Sequence, residues 1–117
     1  MGILSEIGAV IGLGRKAEAI DRAALKAGLA NGTVALVDVR EAGEFASGHV
    51  PGATNMPMSA FKVDQLPNDG RKVVVMCHTG ARARMAAVRA ADRGRPGVAV
   101  YNGSMVDWTR AGETVEK

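Results

Sequence analysis

Cysteine occurs once in this 117-residue chain, at Cys77. A single thiol excludes an internal disulfide framework and any metal site built on several cysteines. It leaves a buried structural thiol or a reactive nucleophile, and a reducing compartment is the easier home for the second. The two histidines, His49 and His78, are too few for a histidine-based metal centre. Aromatic residues make up only 3% of the chain, so no platform for stacking nucleic-acid bases is visible and the core must be built from Val, Leu, Ile, Met and Ala. The formal charge of +3 mildly favours anionic ligands and is too small to argue for a nucleic-acid partner. The longest apolar run, MGILSEIGAVIGLG over residues 1–14, is too short to span a bilayer. It carries Glu6 where a signal peptide wants positive charge, and Glu6 also stands where an N-myristoylation site wants Ser or Thr. The expectation is a soluble, cytoplasmic protein with no membrane partner, made of an apolar tail (1–14) and a single domain (15–117).

What is present is an alternation of short units punctuated by 15 glycines and 4 prolines. Residues 15–29 read as a helix with Ile20, Ala23, Ala24, Ala27 and Leu29 roughly on one side, ended by Asn31-Gly32. Thr33–Val39 is a near-continuous apolar run, as expected of a strand buried on both faces. A short helix over 41–46, a turn-rich stretch with a short strand near 54–56, and a second buried strand over 72–76 follow. Ala81–Arg93 is a strong helix former, stopped by Gly94, Pro96 and Gly97, with Met85 and Val88 expected to turn inward. A third strand over 98–101 and a helix over 104–110 complete the pattern. Strands alternating with helices imply an α/β fold whose central sheet is mostly parallel. Ligands then bind beyond the carboxyl ends of the strands, where Cys77 lies.

A nucleophile between a strand and the first turn of a helix has physical advantages. Unpaired backbone N–H groups point at it, and the helix dipole favours negative charge there, so the thiolate is expected to be promoted. His78, Arg82 and Arg84 add positive character, and Gly80 lets the backbone bend so that several N–H groups converge on one anion. The competing reading is a buried core cysteine, which is common. The polar and basic neighbours favour reactivity.

Cys77-His78-Thr79-Gly80-Ala81-Arg82 resembles the active-site loop of the rhodanese family in its single-domain form, Cys-x-x-Gly-x-Arg. Leu36–Pro57, LVDVREAGEFASGHVPGATNMP, resembles the family's first signature, Asp-x-Arg-x-x-x-Glu-Phe followed by Gly-His-Ile-Pro-Gly-Ala-x-Asn. Tyr101–Gly112, YNGSMVDWTRAG, resembles its closing segment, usually a Gly-Gly, a Trp and a final Gly; Gly103 and Trp108 match, and Ser104 replaces the second glycine. The resemblance spans about residues 18–112, and three matches in the right order are far more specific than any one. It implies a rhodanese-like fold, a sheet of about five strands with helices on both faces. It also implies a thiosulfate sulfurtransferase activity: Cys77 takes a sulfane sulfur from a small anionic donor such as thiosulfate, holds it as a persulfide and yields it to a thiophilic acceptor, either cyanide, a thiol or a sulfur-accepting protein. The loop His78, Thr79, Gly80, Ala81 and Arg82 would bind substrate. Thr79 would hydrogen-bond the terminal sulfur and Arg82 would steady the loop and meet the donor's sulfonate; the role of His78 stays open. No cofactor or metal is implied.

Other features carry competing readings. Asp38, Arg40 and Glu44 could do acid–base work, but a structural role is preferred, with Arg40 and Glu44 paired four residues apart and Asp38 close to the active-site face. His49 reads as a satisfied turn histidine. Gly12-Leu13-Gly14-Arg15-Lys16-Ala17 has the outline of a dinucleotide-binding fingerprint, a pattern that recurs by accident. Arg82, Arg84, Arg89, Arg93 and Arg95 read as a solvated basic face. Two other functions compete with sulfur transfer. A phosphatase or arsenate reductase of rhodanese-like fold needs its arginine one place farther from the cysteine, where this chain has Ala83. A non-catalytic binding module is the other competitor, but such modules usually lose the cysteine, which this chain keeps with the arginine; a persulfide carrier feeding a partner protein stays close to the first reading.

Overall fold

The computed structural model describes residues 17–117. The apolar segment 1–14 and all of the glycine motif except Ala17 lie outside them. Five strands form one wholly parallel sheet: β1 (Glu18–Ile20), β2 (Val34–Asp38), β3 (Thr54–Asn55), β4 (Lys72–Met76) and β5 (Ala99–Tyr101), in the order β1-β5-β4-β2-β3. Among the described residues three α-helices lie between strands, α1 (Arg22–Asn31), α2 (Ala42–Ser47) and α3 (Ala81–Asp92), and a fourth, α4 (Ser104–Arg110), follows β5. Two short 3-10 turns, Met58–Ala60 and Val63–Gln65, lie between β3 and β4. Among the described residues, no helix is long and apolar enough to cross a membrane.

The helix expected over 15–29 divides into a strand and a later helix. Glu18–Ile20 pairs in parallel with Ala99–Tyr101, and α1 starts only at Arg22. Asp21 stops the helix from reaching farther back, because its carboxylate accepts the Ala24 N–H at 2.8 Å as an N-cap. At the other end Gly32, at φ +77°, supplies the left-handed C-cap. A three-residue strand is too short to show an alternation, so a helical period could be read straight through it.

Side-chain alternation splits the core between the two faces of the sheet. Val37, Val73, Val75, Cys77, Val98 and Val100 face α3, and Val34, Leu36, Val74, Met76, Ala99 and Tyr101 face α1 and α4. Each fully buried valine contributes about 1.5–3 kcal/mol. Helix α3 meets the sheet through Ala83, Ala86, Ala87 and Ala90, an i, i+3, i+4, i+7 stripe. That stripe sets the helix phase and corrects the expectation for Met85 and Val88: Met85 is 57% exposed and Val88 only half-buried. Helix α1 packs equally closely, for a Cβ on Gly28 would lie 2.2 Å from Val34 Cγ2.

The carboxyl ends of all five strands share one edge of the sheet. Cys77 leaves β4 there, with the exit of β2 (Val39, Arg40) on one side and that of β5 (Asn102–Ser104) on the other.

Candidate active site

The site is built around the turn from β4 into α3. Cys77 is 1% exposed and belongs to the core cluster that faces α3, so the thiol is at once a loop residue and a buried one. The neighbouring His78 and Thr79 are exposed and form the lip above it. The Gly80 N–H donates to Cys77 Sγ at 3.0 Å, which places the sulfur at the head of the 12-residue α3. Gly80 has φ +110°, and a Cβ there would stand 2.5 Å from the Asn102 carbonyl oxygen and 2.8 Å from Arg84 Nη1. Only glycine meets both demands. The first-turn N–H groups of α3 have no intrahelical partner and point out of the helix end at which the Gly80 N–H holds the sulfur.

On the β5 side, Ser104 Oγ accepts the Cys77 N–H at 3.0 Å and donates to the Tyr101 carbonyl at 2.8 Å. The Met105 and Val106 N–H groups then donate to the Cys77 and His78 carbonyls at 3.0 and 3.1 Å. Helix α4 is held in turn by Asp107, whose carboxylate receives the Tyr101 hydroxyl and Arg22 Nη1. These donors keep the Asp107 carboxyl below the usual carboxylate range, while burial, reinforced by Asp107, pushes the Tyr101 phenol up. Trp108 closes this side, packing edge-on against Tyr101 and donating its indole N–H to the Thr114 carbonyl at 2.7 Å.

On the β2 side, Asp38 is fully buried and Arg40 nearly so. Arg40 Nε and Nη2 donate to the Asp38 carboxylate at 3.0 and 2.8 Å, the Arg40 backbone N–H adds a third bond at 2.9 Å, and Nη2 also reaches the Gly48 carbonyl. Glu44 has a different partner. Its two carboxylate oxygens receive Arg82 Nη1 and Nη2 at 2.7 and 3.0 Å, and Oε1 also caps α2 through the Glu41 N–H. The Arg82 hydrogen bonds hold the Glu44 carboxyl at about 2, against the opposing effect of burial.

The Rhodanese-like domain family pattern matches residues 21–111. The chain belongs to the rhodanese-like family. Among curated relatives, it is 41% identical over 110 residues to the HTH-type transcriptional regulator Rv0324 of Mycobacterium tuberculosis, covering 90% of this chain and 47% of that protein. The chain thus spans about half the length of that relative. It is 35% identical over 81 residues to a sulfurtransferase of Allochromatium vinosum, covering 68% of this chain and 75% of that one. The human single-domain sulfurtransferase TSTD1 superposes with a TM-score of 0.70 at 27% identity, over 80% of this chain and 96% of that chain.

Within this rhodanese-like domain, Cys77 to Gly80 form the turn out of β4, Ala81 and Arg82 open α3, and Asp38, Arg40 and Glu44 flank them. The expected Arg40–Glu44 pair is replaced by two others, Asp38–Arg40 and Glu44–Arg82. The reason is direction: Arg40 folds back toward the strand it has just left, while Glu44, in the first turn of α2, faces the head of α3. His49 is satisfied as expected, its Nδ1–H donating to the Phe45 carbonyl at 2.9 Å and its ring stacking on Phe45 at 3.8 Å. The basic residues of α3 and its exit are partly engaged: Arg95 donates to the Pro67 carbonyl and Arg89 lies over the Phe61 ring. Two site residues had no role assigned from sequence. Asn55 Nδ2 bridges the Asp38 and Arg40 carbonyls at 3.0 and 2.8 Å, and Ser104 holds Cys77. The only signals for them were the last residue of the first signature and a serine in a glycine position.

Proposed function

We propose that this chain moves a sulfane sulfur from an anionic donor such as thiosulfate to a thiophilic acceptor through a persulfide on Cys77. Relatives named as sulfurtransferases support sulfur transfer as the reaction class. The observation that carries the reading is the contact of the Gly80 N–H with Cys77 Sγ at the head of α3, a position that favours a thiolate or a persulfide anion. In the first step the Cys77 thiolate attacks the outer sulfur of thiosulfate. A Cys77 S–S bond forms, the donor's S–S bond breaks, and sulfite leaves with the electron pair. In the second step cyanide or a thiolate takes the outer sulfur, and the Cys77 thiolate is the leaving group. Arg82 gives two of its five N–H donors to Glu44, steadying the loop, and keeps others for the anionic end of the donor. Thr79, at the lip, hydrogen-bonds the terminal sulfur. The spacing from Cys77 to Arg82 is too short for a phosphoryl cradle, because the place after Arg82 is Ala83.

A second reading, a persulfide-bearing module that signals to a partner, is favoured by the 41% identity to a transcriptional regulator. Intact-mass measurement separates the readings. Thiosulfate is expected to add one sulfur atom to the wild type and none to Cys77→Ser, and cyanide to remove it with repeated turnover. A persulfide that forms but resists small acceptors supports the module. Efficient hydrolysis of an aryl phosphate with no gain of sulfur overturns both.

A further inference from the structure

We infer that Ser104 is a positioning residue for Cys77, its hydroxyl fixing the peptide that presents the sulfur to the head of α3. The inference rests on the sulfur-transfer reading for its consequence, but its geometry stands alone. Ser104 is fully buried, and with Asp38 and Arg40 it makes up the buried polar residues among those described. It is also the one non-glycine among the described residues with a positive φ, at +50°. Left-handed backbone costs a serine free energy that a glycine avoids, and the closing segment of the rhodanese resemblance has glycine at this place. The hydroxyl supplies what glycine cannot.

The need for it follows from where the sheet ends. The last paired residues of the β4–β5 ladder are Val75 and Val100. Cys77 lies two residues beyond, in the core, where its N–H has no strand partner and no water to replace one. Ser104 Oγ accepts that N–H at 3.0 Å, and its own proton goes to the Tyr101 carbonyl at 2.8 Å, which fixes the direction of the hydroxyl. The Met105 N–H holds the Cys77 carbonyl and the Val106 N–H the His78 carbonyl. Cys77 is therefore clamped at both of its peptide groups. The Ser104 bond matters because the Cys77 N–H it holds belongs to the residue that carries Sγ, and a turn of that N–H about the Cys77 N–Cα bond would swing Sγ away from the Gly80 N–H. The strained backbone at Ser104 persists because the Tyr101–Asp107–Arg22 contacts hold α4 in place from its far side.

Two variants separate strain from clamp. Ser104→Gly removes both, and Ser104→Ala removes only the hydroxyl. Ser104→Gly is expected to melt at or above Ser104→Ala. In both, sulfur loading from thiosulfate is expected to slow roughly tenfold, the loss of one buried hydrogen bond, with the half-saturating thiosulfate concentration little changed. Exchange of the Cys77 amide proton should speed up by a similar factor, and iodoacetamide should alkylate Cys77 at an altered rate. Wild-type loading, alkylation and amide exchange in both folded variants overturn the inference. A wild type that takes up no sulfur overturns the proposed function, while amide exchange and alkylation still judge Ser104. Should neither variant fold, the wild-type amide decides: a Cys77 N–H that exchanges as fast as those of exposed His78 and Thr79 refutes the clamp.

Discussion

Replacing Glu44 with glutamine tests the pairing that ties α2 to the first turn of α3. In the folded protein the Arg82 hydrogen bonds lower the Glu44 carboxyl from 4.5 to about 2, with burial opposing. At full weight that lowering would amount to about 3 kcal/mol of stability at neutral pH. The two side chains are 40% and 34% exposed, so solvent screening reduces the contribution to about 1 kcal/mol. For a domain of this size that corresponds to a fall of about 4 °C in Tm. The pH dependence identifies the group. A carboxylate whose folded pKa is depressed stabilises fully above its unfolded value and loses that stabilisation as pH falls through the folded one. The gap between wild type and Glu44→Gln is thus expected to be constant from pH 7 to about 5, to narrow below 4.5 and to close near 2. Urea unfolding of both proteins across that range, followed by circular dichroism, measures it. A gap that is absent at pH 7, or that stays constant down to pH 3, refutes the reasoning.

Asp38→Asn leaves the Arg40 guanidinium buried beside a neutral amide, and is expected to cost about 3–5 kcal/mol in urea unfolding at pH 7; a loss under about 1 kcal/mol would mean that water reaches the pair. Gly80→Ala forces a Cβ against the Asn102 carbonyl at a φ of +110°, so the loop must move. It is expected to lower Tm and to abolish sulfur loading by intact mass, and a variant that loads normally would show that the turn tolerates another path.

The strands β2 and β4, the helices α3 and α4 and the place of Cys77 between them were legible in the sequence. Each rests on a local signal: a run of buried β-branched residues, an alanine-rich helix, a glycine at the turn. The family, too, was legible, because three motifs in order constrain more than any one. β1 was not, since three residues have no period of their own and their pairing is with Ala99–Tyr101, some eighty residues away. Nor were the partners of charged side chains. Four-residue spacing suggested Arg40 with Glu44, yet the sheet lays the β2 exit and the α3 head side by side, and Arg82 reaches Glu44 across 38 residues of chain. Burial of the thiol and the grip of Ser104 on Cys77 across 27 residues belong to the same class. Sequence determined the main elements and the family, through local propensity and motif order. Tertiary structure decided which of them touch, because hydrogen bonds and ion pairs depend on distances set by how distant segments pack, and those distances have no expression in the spacing along the chain.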